Sequence, residues 1–209
     1  MIRTKLILAR FDKEGQLVEW REQEVRSWLK HFFDLLYPVH TLTNLANIND
    51  IGGVARTLQQ YKYGQCHLIV GSSSGNIQLI LPSATSTTTY TGDFIGIQVG
   101  TSALAVTPTQ DALQGRITHG EAAGQLLYGG CELYGLKFIN PNGEMSIRRY
   151  FTNVLGGAIS VQEVGIYSPG RTTIPDNRIF CIARDVVSPG VTILDGEILR
   201  VTYVPQVTV

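Results

Sequence analysis

The chain has 209 residues, 44% of them hydrophobic, with 17 Lys and Arg balanced by 17 Asp and Glu. That length suits one large domain, or one domain with an appendage, and the composition can bury a sizeable core. The even charge excludes the basic stripe that counterion release on nucleic acid requires, so no nucleic-acid partner is expected.

No apolar stretch approaches the length of a membrane span, so no membrane is expected as a partner either. Only 16% of the residues are charged, which lets surface be buried against neighbours at low desolvation cost, as in a homo-oligomer. The opening MIRTKLILARFDKEG carries early charges, but its apolar run is too short for a signal segment and leads straight into Asp12-Lys13-Glu14. A chain made in a cytoplasm is expected. Cys66, Cys131 and Cys181 lie far apart and form no CxxC pair, and an odd count fits reduced, buried thiols.

In chain order, RTKLILAR (3–10) reads as a strand, DKEGQ (12–16) as a turn and LVEW (17–20) as a short returning strand. The next stretch, 22–37, has a helical period. Val25, Trp28, Leu29, Phe32 and Leu36 recur along one stripe, and Pro38 is expected to end the helix. TLTNLANINDIGG (41–53) is a polar loop. Residues 1–45 therefore read as an N-terminal hairpin and helical arm. The aromatics of the stripe suit a partner interface, though most amphipathic helices cover their own domain.

From residue 54 to 209 the texture is β, with short runs of Val, Ile, Tyr, Phe and Thr divided by Gly, Pro, Asn and Asp. The candidate strands are CHLIV (66–70), NIQLIL (76–81), FIGIQVG (94–100), CELYGLKFI (131–139), EMSIRRYFTNV (144–154), AISVQEVGIY (158–167), RIFCIARDV (178–186), VTIL (191–194) and EILRVTYV (197–204). SSSG (72–75) reads as a loop, and PSATSTTTYTGD (82–93) as an exposed loop or an irregular edge strand. Asn142-Gly143 and Asp195-Gly196 are expected to form tight hairpin turns with positive φ. In AISVQEVGIY, Ile159 and Val161 share one parity and Val164 and Ile166 the other, a slip that a β-bulge near Gln162-Glu163 would absorb. RIFCIARDV is apolar in both parities, so both of its faces should be covered, by a second sheet and by another element or subunit.

Many short strands with hairpin turns and no βαβ alternation predict a mainly β protein. The expected fold is an antiparallel β-sandwich or jelly-roll-like domain preceded by a β-hairpin and an amphipathic helix.

Chemistry-bearing constellations are sparse. GRITHGEAAGQ (115–125) clusters His119 and Glu121, but a metal site needs more ligands that converge, and His31, His40 and His67 have no companions nearby in sequence. No metal and no cofactor are expected. There is no GxSxG, Ser73 sits in a plain loop, and the pairs IGG and LGG fit no phosphate-binding pattern. Glu121, Glu132, Glu144 and Glu163 could supply a glycosidase pair, which sequence alone cannot place. No catalytic residue is assigned.

The stretch GIQVGTSALAVTPTQDALQGRITHGEAAGQLLYGGC carries a pattern: G-I-x-V-G-T, A-V-T-P-T, a leucine, then I-x-H-G. VQEVGIY and FCIARDVVSPGVTILDGEILRVTY continue it in order. The set, spanning about residues 94–204, resembles structural proteins of tailed-bacteriophage virions. The resemblance implies a β-sandwich in the tail, neck or capsid surface, located in the virion and made in the host cytoplasm, with other virion proteins as partners. It supplies no catalytic residues and does not cover the N-terminal portion. It implies that GRITHGEAAGQ is a corner between strands, with His119 bonded to backbone or to a neighbouring subunit. A glycan- or receptor-binding module is the alternative, with Tyr90, Tyr128, Tyr134 and Tyr150 as candidate contacts. A glycan hydrolase is a third reading.

Overall fold

A computed structural model describes residues 2–25, 28–41, 43–59, 94–139, 142–173 and 177–208. The sequence-predicted strands at 66–70 and 76–81, the segments at 72–75 and 82–93, and Tyr90 lie outside these residues. The protein is mainly β, as expected, with antiparallel sheets and, among the described residues, one helix.

Five strands form the larger sheet: β1 (Ile2–Phe11), β2 (Leu17–Val25), β6 (Leu127–Ile139), β7 (Asn142–Thr152) and β10 (Ile198–Thr208), in the order β2-β1-β10-β7-β6. A second sheet has the order β5-β8-β9, from β5 (Gly96–Gly100), β8 (Ile159–Arg171) and β9 (Asn177–Ile193). A hairpin of β3 (Leu45–Asn49) and β4 (Ala55–Leu58) joins the end of β8 through a bridge from Leu58 to Thr172. Inward side chains of both sheets form one core, including Leu6, Leu8, Ile97, Val99, Ile147, Phe151, Val164, Ile166, Leu199 and Val201.

Two arginines close the sides of the sandwich. Arg149 of β7 donates to the Ile95 and Ile97 carbonyls on the rim of the small sheet, at 2.8 and 3.1 Å. On the opposite side Arg21 of β2 donates to the Pro189 carbonyl, and Gln23 donates to Val186 O at 3.0 Å.

The N-terminal portion is not a separate arm. β1 lies between β2 and β10 and pairs with β10 over its whole length. β2 also runs to Val25, five residues past the expected LVEW. Helix α1 therefore starts later than its period suggests, at Lys30–Thr41, and contains Pro38 instead of ending before it. The physical reason is that β2 is an edge strand with polar side chains on both faces. Arg21 and Gln23 point inward and are satisfied by β9 carbonyls, so no apolar alternation marks the strand.

Two turns differ from expectation. Ile139 pairs with Asn142 and Phe138 with Gly143, so Asn142-Gly143 lies inside the ladder and the connection falls at 140–141, outside the described residues. At Asp195-Gly196 only Gly196 has positive φ, +77°. With Glu197 N–H donating to Leu194 O at 3.0 Å, this is the φ pattern of a type II turn, not type I′. VTIL is likewise not a separate strand but the end of β9.

The slip expected in β8 occurs: Val161 pairs with Val191 and Glu163 with Val186, so the register shifts across Gln162, with the extra residues, 187–190, on β9. It carries Ile159 and Val161, then Val164 and Ile166, into the same core.

Candidate functional site

RIFCIARDV is buried on both faces, as its double apolar parity predicts. Phe180 and Ile182 enter the core between the sheets. Ile179 and Cys181 join Leu29, Leu113 and Tyr167 in a second cluster on the outer face of the small sheet. The cover there is this chain's own segment 101–117 and the start of α1. Gly165 makes room for it: a Cβ at that position would sit 2.5 Å from Leu113 Cδ1.

The cover is fastened by a charged pair. Arg184 of β9 donates from Nε to Glu163 Oε2 at 2.6 Å, and both side chains are 0% exposed. Glu163 also accepts the Gln114 and Gly115 backbone N–H groups at 3.1 and 2.6 Å. Arg184 donates further to Leu104 O, Ala105 O and Gln110 Oε1. Each charge thus meets both its opposite and the polar backbone of the strap, which is what a buried pair needs to survive desolvation. The slip across Gln162 is what turns Glu163 to this face. Sequence reasoning treated Glu163 only as one of several loose carboxylates and missed Arg184. The available signal was a charged residue in the middle of two otherwise apolar strands.

A second polar cluster binds the helix to the same strap. His31 is buried, with Nδ1 3.0 Å from Asp34 Oδ2 and Nε2 2.8 Å from Asp111 Oδ1. Lys30 pairs with Asp34, and Asn49 Nδ2 donates to Asp111 Oδ2 at 3.1 Å. His31 has no companion nearby in sequence except Asp34, because Asp111 arrives from 80 residues away. Histidine between two carboxylates resembles a proton-relay arrangement, but among the described residues no hydroxyl or thiol nucleophile is bonded to it. Its contacts join α1, β3 and the strap. Among the described residues there is no cluster of three or more His, Cys, Asp or Glu side chains fit to hold a metal ion.

The opening of the sandwich at GRITHGEAAGQ is a corner. His119 Nδ1 accepts the Tyr128 backbone N–H at 3.0 Å, and the two rings meet edge to face. Glu121 is exposed and does not share a bond with His119. Leu126 N–H donates to Thr118 O and Gly120 N–H to Leu126 O, so backbone bonds close the loop, with Gly124 at φ +79°. Tyr128 is buried and donates its hydroxyl to Ile117 O, so it is not a surface contact for a glycan. Tyr134 is exposed and stacks under Arg148 at 4.3 Å.

The stripe of Val25, Trp28, Leu29, Phe32 and Leu36 is used inside the chain. Val25 belongs to β2, and Leu29 precedes the helix and donates its N–H to Ile182 O at 2.9 Å. Both are buried. Trp28 and Phe32 stack at 4.5 Å and pack against the main core, and Leu36 is half-buried. The helix face that is exposed carries Phe33 and Tyr37 instead.

No protein family, curated protein or solved structure matches the chain.

Burial governs the titration of the interior groups. It pushes the Cys181 thiol and the Tyr167 and Tyr203 hydroxyls above their ordinary ranges, and Cys131 upward as well. Cys131 and Cys181 are unpaired thiols, whereas Cys66 lies outside the described residues. A thiol held neutral is a poor nucleophile and a poor metal ligand. An open depression of about 560 Å³ lies between the end of β2 and the strap, lined by Gln23, Glu24, Val25, Ala105 and Asp185 among others. Asp185 there accepts the Tyr203 hydroxyl at 2.9 Å.

Proposed function

We propose that this chain is a non-enzymatic structural protein of a tailed-phage virion, acting as an oligomer at the tail, neck or capsid surface alongside other virion proteins. The observation that carries the reading is how the segment with the phage-like motifs uses its polar residues. Glu163, Arg184, Gln110 and the backbone of 104–115 bond to one another, and His119 bonds to Tyr128 N–H. The groups that could do chemistry are instead holding loops against a sheet. Exposed apolar side chains at Trp20, Phe33, Leu104 and Phe138 favour burial against neighbours.

The test is to measure the mass of the purified full chain in solution and to locate it in imaged or mass-analysed particles. An oligomer found in particles is expected. A strict monomer that cleaves a glycan and is absent from particles overturns the reading and leaves the hydrolase alternative.

A further inference from the structure

The large sheet buries its inner face in the core, and its outer face carries a patterned surface. Register across the strands places Trp20, Ala9, Arg200 and Tyr150 in one row, and Glu22, Ile7, Thr202, Arg148 and Glu132 in the next. All alternate with inward residues such as Leu8, Val201 and Arg149, so they share the outer face. Helix α1 packs on the other side, against β9 and β3.

Two arginines stand near the middle of this face on diagonal positions of β10 and β7. Arg200 lies 5.2 Å over the Phe11 ring and Arg148 4.3 Å over Tyr134. The Nε of each is buried and has no hydrogen-bond partner. Of the other charges on the face, Lys5 pairs with Glu22 at 3.0 Å, Gln206 bonds Glu144, and Glu132, beside Arg148 in register, accepts the Tyr134 hydroxyl at 2.7 Å, while Arg3 and Glu24 lie exposed toward one end. Among the described residues neither arginine is hydrogen-bonded to a carboxylate of the face, so both have donors for carboxylates from outside, and arginine with aromatic residues is the composition of interface centres.

We infer that the outer face of the β2-β1-β10-β7-β6 sheet docks an acidic segment of a partner protein, whose carboxylates reach Arg148 and Arg200 while Trp20 and Phe11 supply apolar contact. A second copy is a poor occupant. A two-fold contact of this face with itself about β10 would set these arginines against the same arginines. A free small ligand is disfavoured because the face is a broad sheet surface, about 20 Å across its five strands, and not a concave pocket. The inference names the partner chemistry of the assembly protein proposed above and rests on that reading for its context.

The test uses the full chain with Trp28→Phe, which leaves Trp20 as the emitting tryptophan. Poly-L-glutamate is titrated in at low salt, with poly-L-lysine and polygalacturonate as parallel arms, and amide resonances are followed by NMR. The expected result is a change in Trp20 emission and shifts confined to 148–150 and 198–202 with polyglutamate, lost as salt rises. Arg148→Glu with Arg200→Glu should weaken binding about tenfold or more, while Arg148→Lys with Arg200→Lys keeps part of it. Unchanged melting of the variants checks their folding.

Absence of polyglutamate binding, shifts elsewhere on the molecule, or equal response to polylysine overturns the inference. Binding of polygalacturonate alone at these residues overturns it in favour of an acidic glycan. A chain that binds polyglutamate here yet is absent from every particle sinks the virion reading and leaves this surface standing; a particle protein that ignores polyglutamate does the reverse.

Discussion

The two sheets of this protein are finished to different degrees. The small sheet is covered on both faces, and its margins are taken up by its own chain. Leu29 and Ile51 donate N–H groups to β9 carbonyls, Ile117 donates to Val99 O of β5, and Arg149 takes the carbonyls beside it. The large sheet buries one face, and among the described residues no backbone partner from outside the sheet pairs with the outer margins of β2 and β6. One sheet is the interior of a domain and the other is half interior, half surface. The difference teaches where added partners have room: at the large sheet, whose margins are long and whose outer face carries aromatic rings and arginines.

The largest expected effect tests whether the N-terminal strands belong to the fold. Deleting residues 1–45 removes β1 and β2 together with Leu6, Leu8, Val25 and Leu29, all buried. Each such side chain contributes roughly 1.5–3 kcal/mol, and the sum rivals a whole domain's stability of about 5–15 kcal/mol. Insoluble or unfolded protein is expected. A soluble fragment with an unchanged cooperative melt would restore the picture of a detachable arm.

Next in size is the fastening of the strap on the small sheet. Glu163→Gln or Arg184→Met alone leaves a buried charge without its partner and should cost about 3–5 kcal/mol in denaturant unfolding. Hydrogen exchange at Gln114 and Gly115 should accelerate in Glu163→Gln, because their acceptor has lost its charge. The double variant should cost clearly less than the sum of the singles. Strict additivity would show that the pair is not coupled.

The buried thiol and hydroxyls give a milder, pH-dependent contrast. Burial raises the pKa of Cys181, Tyr167 and Tyr203 in the folded state, so folding favours their neutral forms. Their contribution is fully present below the unfolded values, about 8.5 for a thiol and about 10 for a phenol, and is lost as pH rises from there toward the raised folded values. Melting temperature should therefore decline above about pH 9, with Tyr203→Phe flattening the decline. An unchanged slope in that variant would assign the alkaline loss to other groups.

Smallest are changes at the turns. Asp195 sits at the second position of its turn with negative φ, where proline is favoured, and the bonds that hold the turn run through Leu194, Gly196, Glu197 and Asn153. Asp195→Pro should lose only the acceptor for Gly156 N–H, roughly 1 kcal/mol, and stay folded. His119→Ala should likewise cost roughly 1 kcal/mol, for the bond from Tyr128 N–H. Insoluble Asp195→Pro protein would mean that the turn requires positive φ there after all.

The β class, most strands from 94 onward, the slip across Gln162 and the double burial of RIFCIARDV were legible in the sequence, because period-two patterns act over a few residues. β2 and the start of α1 were not. Residues 22–25 satisfy a helical period and a strand equally well, and only pairing with β1 and the capture of Arg21 and Gln23 by β9 choose the strand. The same holds for the polar clusters. Glu163 meets Arg184 across 21 residues and His31 meets Asp111 across 80, and no local pattern announces either contact. Composition and periodicity, which are local, determined that this chain builds β-sheets. Long-range closure of the sandwich decided which charges became fasteners and which face stayed bare, because desolvation acts on the assembled fold and not on the strand.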